Sequence, residues 1–176
     1  MSSEQETTLQ ALQTALQMEV DGKEFYLKAS QTSKNKLGKQ LLEKLAAEED
    51  IHRTVFQRIY DAIKANKGWP DVKYEGDKGQ GLRTVFAEAL EEMKNNPQVL
   101  TEELDAIKVG MGLENKTYDF YKARAAKTTY GAEKQLYEDI AMQESEHHRI
   151  LQDYYEYLQD PAQWYVKHEH SAVDGG

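Results

Sequence analysis

The chain contains no cysteine. That one absence excludes disulfides, zinc ribbons, iron–sulfur clusters and thiol catalysis from these residues. Proline is nearly absent as well, with three in 176 residues, so little in the sequence interrupts long helices. No apolar run approaches the roughly 20 residues that span a bilayer, and no membrane partner is expected. The first ten residues, MSSEQETTLQ, lack the basic start and apolar stretch of a secretory signal, which makes the cytoplasm the expected compartment. Basic clusters are missing too. The net charge is −9, with both signs interleaved, and a surface of that kind does not attract a phosphate backbone, so nucleic acid is not an expected partner.

What remains is 30% charged and 39% hydrophobic, a mix that suits amphipathic helices in one domain. Four long segments carry an apolar stripe at helical spacing. Residues 8–31 have Leu9, Leu12, Leu16 and Tyr26, and residues 36–67 have Leu41, Leu45, Phe56, Ile59 and Ile63. Residues 101–127 have Leu104, Ile107, Met111 and Tyr121, with Thr101 as the N-cap. The fourth follows Tyr130 and Gly131, carries Leu136, Ile140, Leu151, Tyr154 and Leu158, and ends before Pro161. Short breaks at 33–35 and 128–131 predict two antiparallel hairpins. Between them, 68–100 is a long crossover: a glycine-rich stretch, then a short extra helix over 82–94 stopped by Asn95, Asn96 and Pro97. Residues 1–160 thus form an all-α four-helix bundle. Residues 161–176 are a C-terminal tail that docks through Trp164 and Tyr165 and ends in a mobile terminus.

The halves repeat. Shifted by 95 residues, the first overlays the second without a gap, and Phe25, Tyr26, Leu41, Ala46 and Tyr60 recur. So does a chemical pattern: a Glu, then thirty residues later Glu-x-x-His. In the first half these are Glu19, Glu49 and His52; in the second, Glu114, Glu144 and His147. All six lie along the apolar stripes, where four unpartnered carboxylates would cost several kcal/mol each. No arginine shares those stripes. Two divalent cations would neutralise the four carboxylates, and two imidazoles would complete the donor set. One Glu from each of two helices and one Glu-x-x-His from each of the other two is the dinuclear carboxylate pattern. Tyr26 and Tyr121, two turns after Glu19 and Glu114, either orient a carboxylate from behind or fill the core. Glu48 and Gln143, four residues before the histidines, are weaker candidates for holding an imidazole N–H. Otherwise Glu24, Glu43, Glu48 and Glu138 read as solvated faces or their edges, His148, His168 and His170 as hydrogen-bonded histidines, and Tyr154, Tyr155 and Tyr157 as packing.

With these residues and the Phe25-Tyr26 and Phe120-Tyr121 pairs, residues 8–160 resemble the rubrerythrin branch of the ferritin-like superfamily. The resemblance implies a ferritin-like bundle with two iron ions on Glu19, Glu49, His52, Glu114, Glu144 and His147, and Tyr26 and Tyr121 beside them. It also implies reduction of hydrogen peroxide or dioxygen with electrons from an external donor such as a rubredoxin-like protein. The chain departs from the family twice. It has no cysteines for a rubredoxin iron, and Thr117 stands where well-studied members carry an extra glutamate, with Gly22 as its repeat mate. Manganese or zinc would fit the same donors, so iron oxidation and handling or a dimanganese catalase-like activity are alternatives. From another class, the metal would only hold a scaffold together without turnover. A homodimer is expected by analogy.

Overall fold

The computed structural model describes residues 3–72, 74, 76–93 and 101–173. Six helices form, in the order α1 (Ser3–Thr32), α2 (Lys36–Lys64), α3 (Gln80–Met93), α4 (Thr101–Lys127), α5 (Gly131–Gln159) and α6 (Pro161–Val173). No strand occurs among the described residues. As expected, α1 packs along α2 and α4 along α5, and the hairpins join through α1 on α4 and α2 on α5. The crossover helix α3 lies on α2 and α5.

Several boundaries differ from the periodicity, each for a local reason. Helix α1 begins five residues early, where Gln5 donates to the Ile63 carbonyl and to Asn66 (both 3.2 Å). Helix α2 stops at Lys64 instead of running to 67, because Asn66 and then Gly68 turn into the left-handed region (φ 57° and 72°). Helix α3 starts two residues early, at Gln80, where Asp77 accepts from the amides of Gly79 and Gly81 (both 2.8 Å). Its expected stop at Asn95, Asn96 and Pro97 lies outside the described residues, as does the Thr101 side chain.

The tail forms helix α6 as far as Val173. Asp160 accepts from the amide of Gln163 (3.0 Å) and Pro161 opens the first turn, the usual start of a helix. Trp164 docks as expected, edge-on to Phe86 (5.8 Å) and Tyr157 (6.0 Å), and Tyr165 donates to the Leu90 carbonyl (3.2 Å). His168 stacks on Trp164 and hydrogen-bonds its carbonyl, as a structural histidine should. His148 is half-buried, and the His170 side chain lies outside the described residues.

The apolar interior falls into two clusters. One gathers Tyr26, Leu41, Leu45, Ile107, Leu151 and Tyr154; the other gathers Leu12, Phe56, Ile59, Tyr121, Leu136 and Ile140. On every bundle helix the break between them falls at the glutamate of the repeat: Glu19 lies between Ala15 and Tyr26, Glu49 between Ala46 and Phe56, Glu114 between Ile107 and Tyr121, Glu144 between Ala141 and Ile150. The antiparallel arrangement brings those four breaks to one level.

The first hairpin turn is tied by buried polar groups. Asn35 caps α2, accepting from the Gly38 amide (2.9 Å) and donating to Tyr154 (2.9 Å). Ser33 donates to Glu103 of α4, so both ends of this network are fixed. A Cβ on Gly38 would collide with Glu103, Tyr154 and Ser33. Gly38→Ala is therefore expected to destabilise the fold by about 1–3 kcal/mol. Urea unfolding checks this, and a midpoint equal to or above that of the parent would show that the turn has slack.

Candidate metal centre

All six residues singled out by the repeat converge in the gap between the apolar clusters. Glu19, His52, Glu144 and His147 are fully buried, and Glu49 and Glu114 nearly so. Their donor atoms form two overlapping sets, Glu19, Glu49, His52, Glu144 and Glu49, Glu114, Glu144, His147, each with atoms within 4.8 Å of one another. The overlap assigns geometry. Glu49 and Glu144 belong to both sets, Glu19 and His52 only to the first, and Glu114 and His147 only to the second.

Both histidines turn Nδ1 inward. His52 Nδ1 is 3.0 Å from Glu144 and 3.3 Å from Glu19; His147 Nδ1 is 3.1 Å from Glu49 and 3.5 Å from Glu114. The rings lie nearly parallel, with centroids 5.7 Å apart. The tyrosines cross between halves: Tyr26 of α1 donates to Glu114 of α4, and Tyr121 of α4 donates to Glu19 of α1. Burial, with Glu114 and Glu19 respectively beside them, pushes both phenols well above 10, so they remain donors. Each tyrosine thus hydrogen-bonds a carboxylate and also packs in an apolar cluster, Tyr26 in one and Tyr121 in the other.

One expectation is corrected. Glu48 is not on a solvated face: it is buried, and its carboxylate accepts from His147 Nε2 at 2.9 Å. It reaches the histidine of the opposite hairpin, which is why spacing to His52 on its own helix gave only a weak hint. Glu24 and Glu43 are exposed and Glu138 is half-buried. Three contributors have no signal in the periodicity. Tyr74 of the crossover meets His52 Nε2 at 2.7 Å, Thr117 donates to Glu144 at 3.1 Å, and Gly22 leaves an opening beside Glu49. A further buried acid, Glu133, pairs with Arg124 (3.2 Å) and Thr128 (2.7 Å) near the α4–α5 turn and belongs to the scaffold.

The electrostatics show what the cluster requires. Burial raises Glu49 and Glu144, and repulsion from Glu19 and Glu114 on the first, and from Glu49 and Glu114 on the second, raises them further. Burial alone would lower the histidines, but Glu19 and Glu144 outweigh it at His52, and Glu114, Glu48 and Glu49 at His147, holding both well above 6.5. For Glu114 burial is overcome by His147, and its carboxyl lies below the usual value. Even so, Glu19 Oε2, Glu114 Oε2, Glu144 Oε1 and His52 Nδ1 are buried without a well-formed hydrogen bond. These orphaned atoms are the inward ones. Four inward carboxylates and two inward imidazole nitrogens, several of their atoms unsatisfied, fit two divalent cations.

The sequence model of the rubrerythrin family matches residues 10–155. The chain belongs to the rubrerythrin family. Comparison with curated proteins and with solved structures gives no significant match. Membership fits the ferritin-like bundle, whose two hairpins and long crossover the structure shows, and the buried carboxylate–histidine cluster that could hold metal. No helix among the described residues is long and apolar enough to cross a membrane.

The shifts carry a pH signature for metal-free protein. Groups raised on folding stabilise fully below their unfolded values and lose that contribution as pH rises through the folded ones. His52 and His147 start from 6.5, Glu49 and Glu144 from 4.5, and all four are raised. Glu114 is lowered, so its contribution is already complete above 4.5 and does not change in this window. The melting temperature in chelator is therefore expected to fall as pH rises from about 6 to about 9. Metal, which replaces those protons, should stabilise more at the alkaline end. A metal-free melting temperature that climbs across this range would contradict the assignment.

Proposed function

We propose that the chain is a non-haem di-iron oxidoreductase that reduces hydrogen peroxide or dioxygen with electrons from a donor outside these residues. The observation that carries this reading is the pair of overlapping donor sets sharing Glu49 and Glu144, set between two apolar clusters. Two iron ions held there, each passing between Fe(II) and Fe(III), would supply the two electrons of H2O2 + 2e− + 2H+ → 2H2O. The rest is the work of side chains. Tyr121 and Tyr26 hold Glu19 and Glu114 in place, and Thr117 holds one oxygen of Glu144. The flanking apolar clusters keep bulk water from the cluster.

A cleft between α1 and α4 supports a small oxidant. It is lined by Gly22, Tyr26, Glu49, Glu114 and Thr117 among others, and offers about 30 Å³. Water needs roughly 10–15 Å³ on such a scale, so the space suits a molecule the size of dioxygen or hydrogen peroxide. It opens where Gly22 and Thr117, the repeat-related pair, carry no acid. A rubredoxin-like protein is the proposed donor, since no cysteine is present for a rubredoxin-type iron in this sequence. Pairing into a homodimer in the cytoplasm completes the proposal.

The experiment is anaerobic loading with Fe(II), followed by small additions of hydrogen peroxide under a spectrophotometer. About one peroxide should be consumed per two Fe(II), as paired two-electron reduction requires. One Fe(II) oxidised per peroxide, with hydroxyl radical trapped, would overturn the reading. Steady oxygen release from a manganese-loaded protein, with no reductant, would move the assignment to a catalase. Gly22→Leu should fill the cleft and slow oxidation by peroxide at least about tenfold, with metal content close to that of the parent. An unchanged rate would place the oxidant's approach elsewhere.

A further inference from the structure

The six inward residues obey the twofold relation between the halves, but the groups holding the histidines from outside do not. His147 Nε2 is 2.9 Å from the Glu48 carboxylate of α2, and His52 Nε2 is 2.7 Å from the Tyr74 hydroxyl in the crossover. The repeat mate of Glu48 is Gln143. Strict symmetry would set Gln143 against His52. Instead the crossover draws it away: Gln143 hydrogen-bonds Asp77, and its amide packs so close to Gly76 that any side chain there would collide with it (2.6 Å). Tyr74 fills the position that Gln143 leaves.

These outer partners differ in kind. With Nδ1 turned inward as the donor atom, each Nε2 carries the proton and donates outward. Donation to a carboxylate makes an imidazole a stronger ligand than donation to a neutral phenol does. Glu48 also adds a buried negative charge on the His147 side alone. Lys44 offsets part of it, with Nζ 3.4 Å from the other Glu48 oxygen, but the lysine side chain is 36% exposed and water screens it. No cation pairs with Tyr74 in the corresponding place among the described residues.

We propose that the two metal positions are unequal, the one with Glu114 and His147 filling first because Glu48 backs it, and the one with Glu19 and His52 filling second and depending on Tyr74. Tyr74 is thus a positioning residue, and through it the crossover connects to one position only. This rests on the reading of the cluster as a dinuclear site, and goes beyond it by ranking the positions.

The test is stepwise addition of Co(II) to metal-free protein at fixed pH, followed by calorimetry and by the visible absorption of bound cobalt. Two steps should appear, separated at least about tenfold in affinity. Glu48→Gln should weaken the first step by about 10- to 100-fold and bring the steps together. Tyr74→Phe should weaken the second about tenfold and leave the first in place. The melting temperature of each metal-free variant serves as the control, since a merely structural role would lower it without selecting one step. If Glu48→Gln fails to fold, the Tyr74→Phe result decides alone, because that ring is only half-buried. Two equivalents binding in a single step, or Tyr74→Phe shifting both steps equally, would overturn the ranking while leaving the dinuclear site intact. No cobalt bound at all would overturn both.

Discussion

Burying like charge is the constraint on which the rest of this molecule depends. Four carboxylates and two imidazoles occupy the middle of a helical bundle, each almost or wholly withdrawn from water. At such separations uncompensated carboxylates repel strongly and lose their hydration, a cost of several kcal/mol per group. The fold meets the constraint in layers. Apolar clusters above and below carry the hydrophobic stabilisation that water exclusion at the centre forgoes. Tyr26 and Tyr121 each supply a donor across the interface between hairpins, and Glu48, Tyr74 and Thr117 tie the remaining atoms. What these bonds leave unsatisfied faces inward, and that residue of unspent lone pairs is what a metal pair would take up.

The duplication explains why the solution is nearly symmetric, and the crossover explains why it is not fully so. Two identical helical pairs facing each other would give each metal position the same surroundings. The connection between them passes one side only, bringing Tyr74, Gly76 and Asp77 over the ends of His52 and Gln143. A connection needed for topology thereby becomes part of the chemistry. The gap at Gly22 and the hydroxyl at Thr117 break the symmetry on the opposite side, facing the cleft between α1 and α4.

How much of this could be read from the chain differs by residue. The six inward residues were legible because two constraints coincide in them: helical spacing onto an apolar face, and repetition at a shift of 95. Glu48 was not, since it neighbours Glu49 at the stripe's edge and its imidazole partner comes from the other hairpin. Tyr74 lies in a segment without periodicity, where nothing local indicates which atom a side chain meets. Helix α6 was announced by Asp160 followed by Pro161, a cap signal that the short apolar content after it obscured. Nothing local marks Glu103 and Glu133 as buried acids, because their partners, Ser33 and Tyr154 for one and Arg124 and Thr128 for the other, lie on other helices or turns. In each case the missed information is tertiary. Periodicity shows which face turns inward; it does not show what comes to meet it.

Metal content decides whether the cluster holds two ions. Elemental analysis per chain tests it most directly, on protein produced with iron and manganese both available and purified without chelator. The account predicts about two equivalents, lost in large part when Glu114 and Glu144 are changed to alanine in a protein that stays helical. Fewer than a few tenths of an equivalent in the fully helical parent would contradict it. The six residues would then be a proton-sharing network in the core of a scaffold.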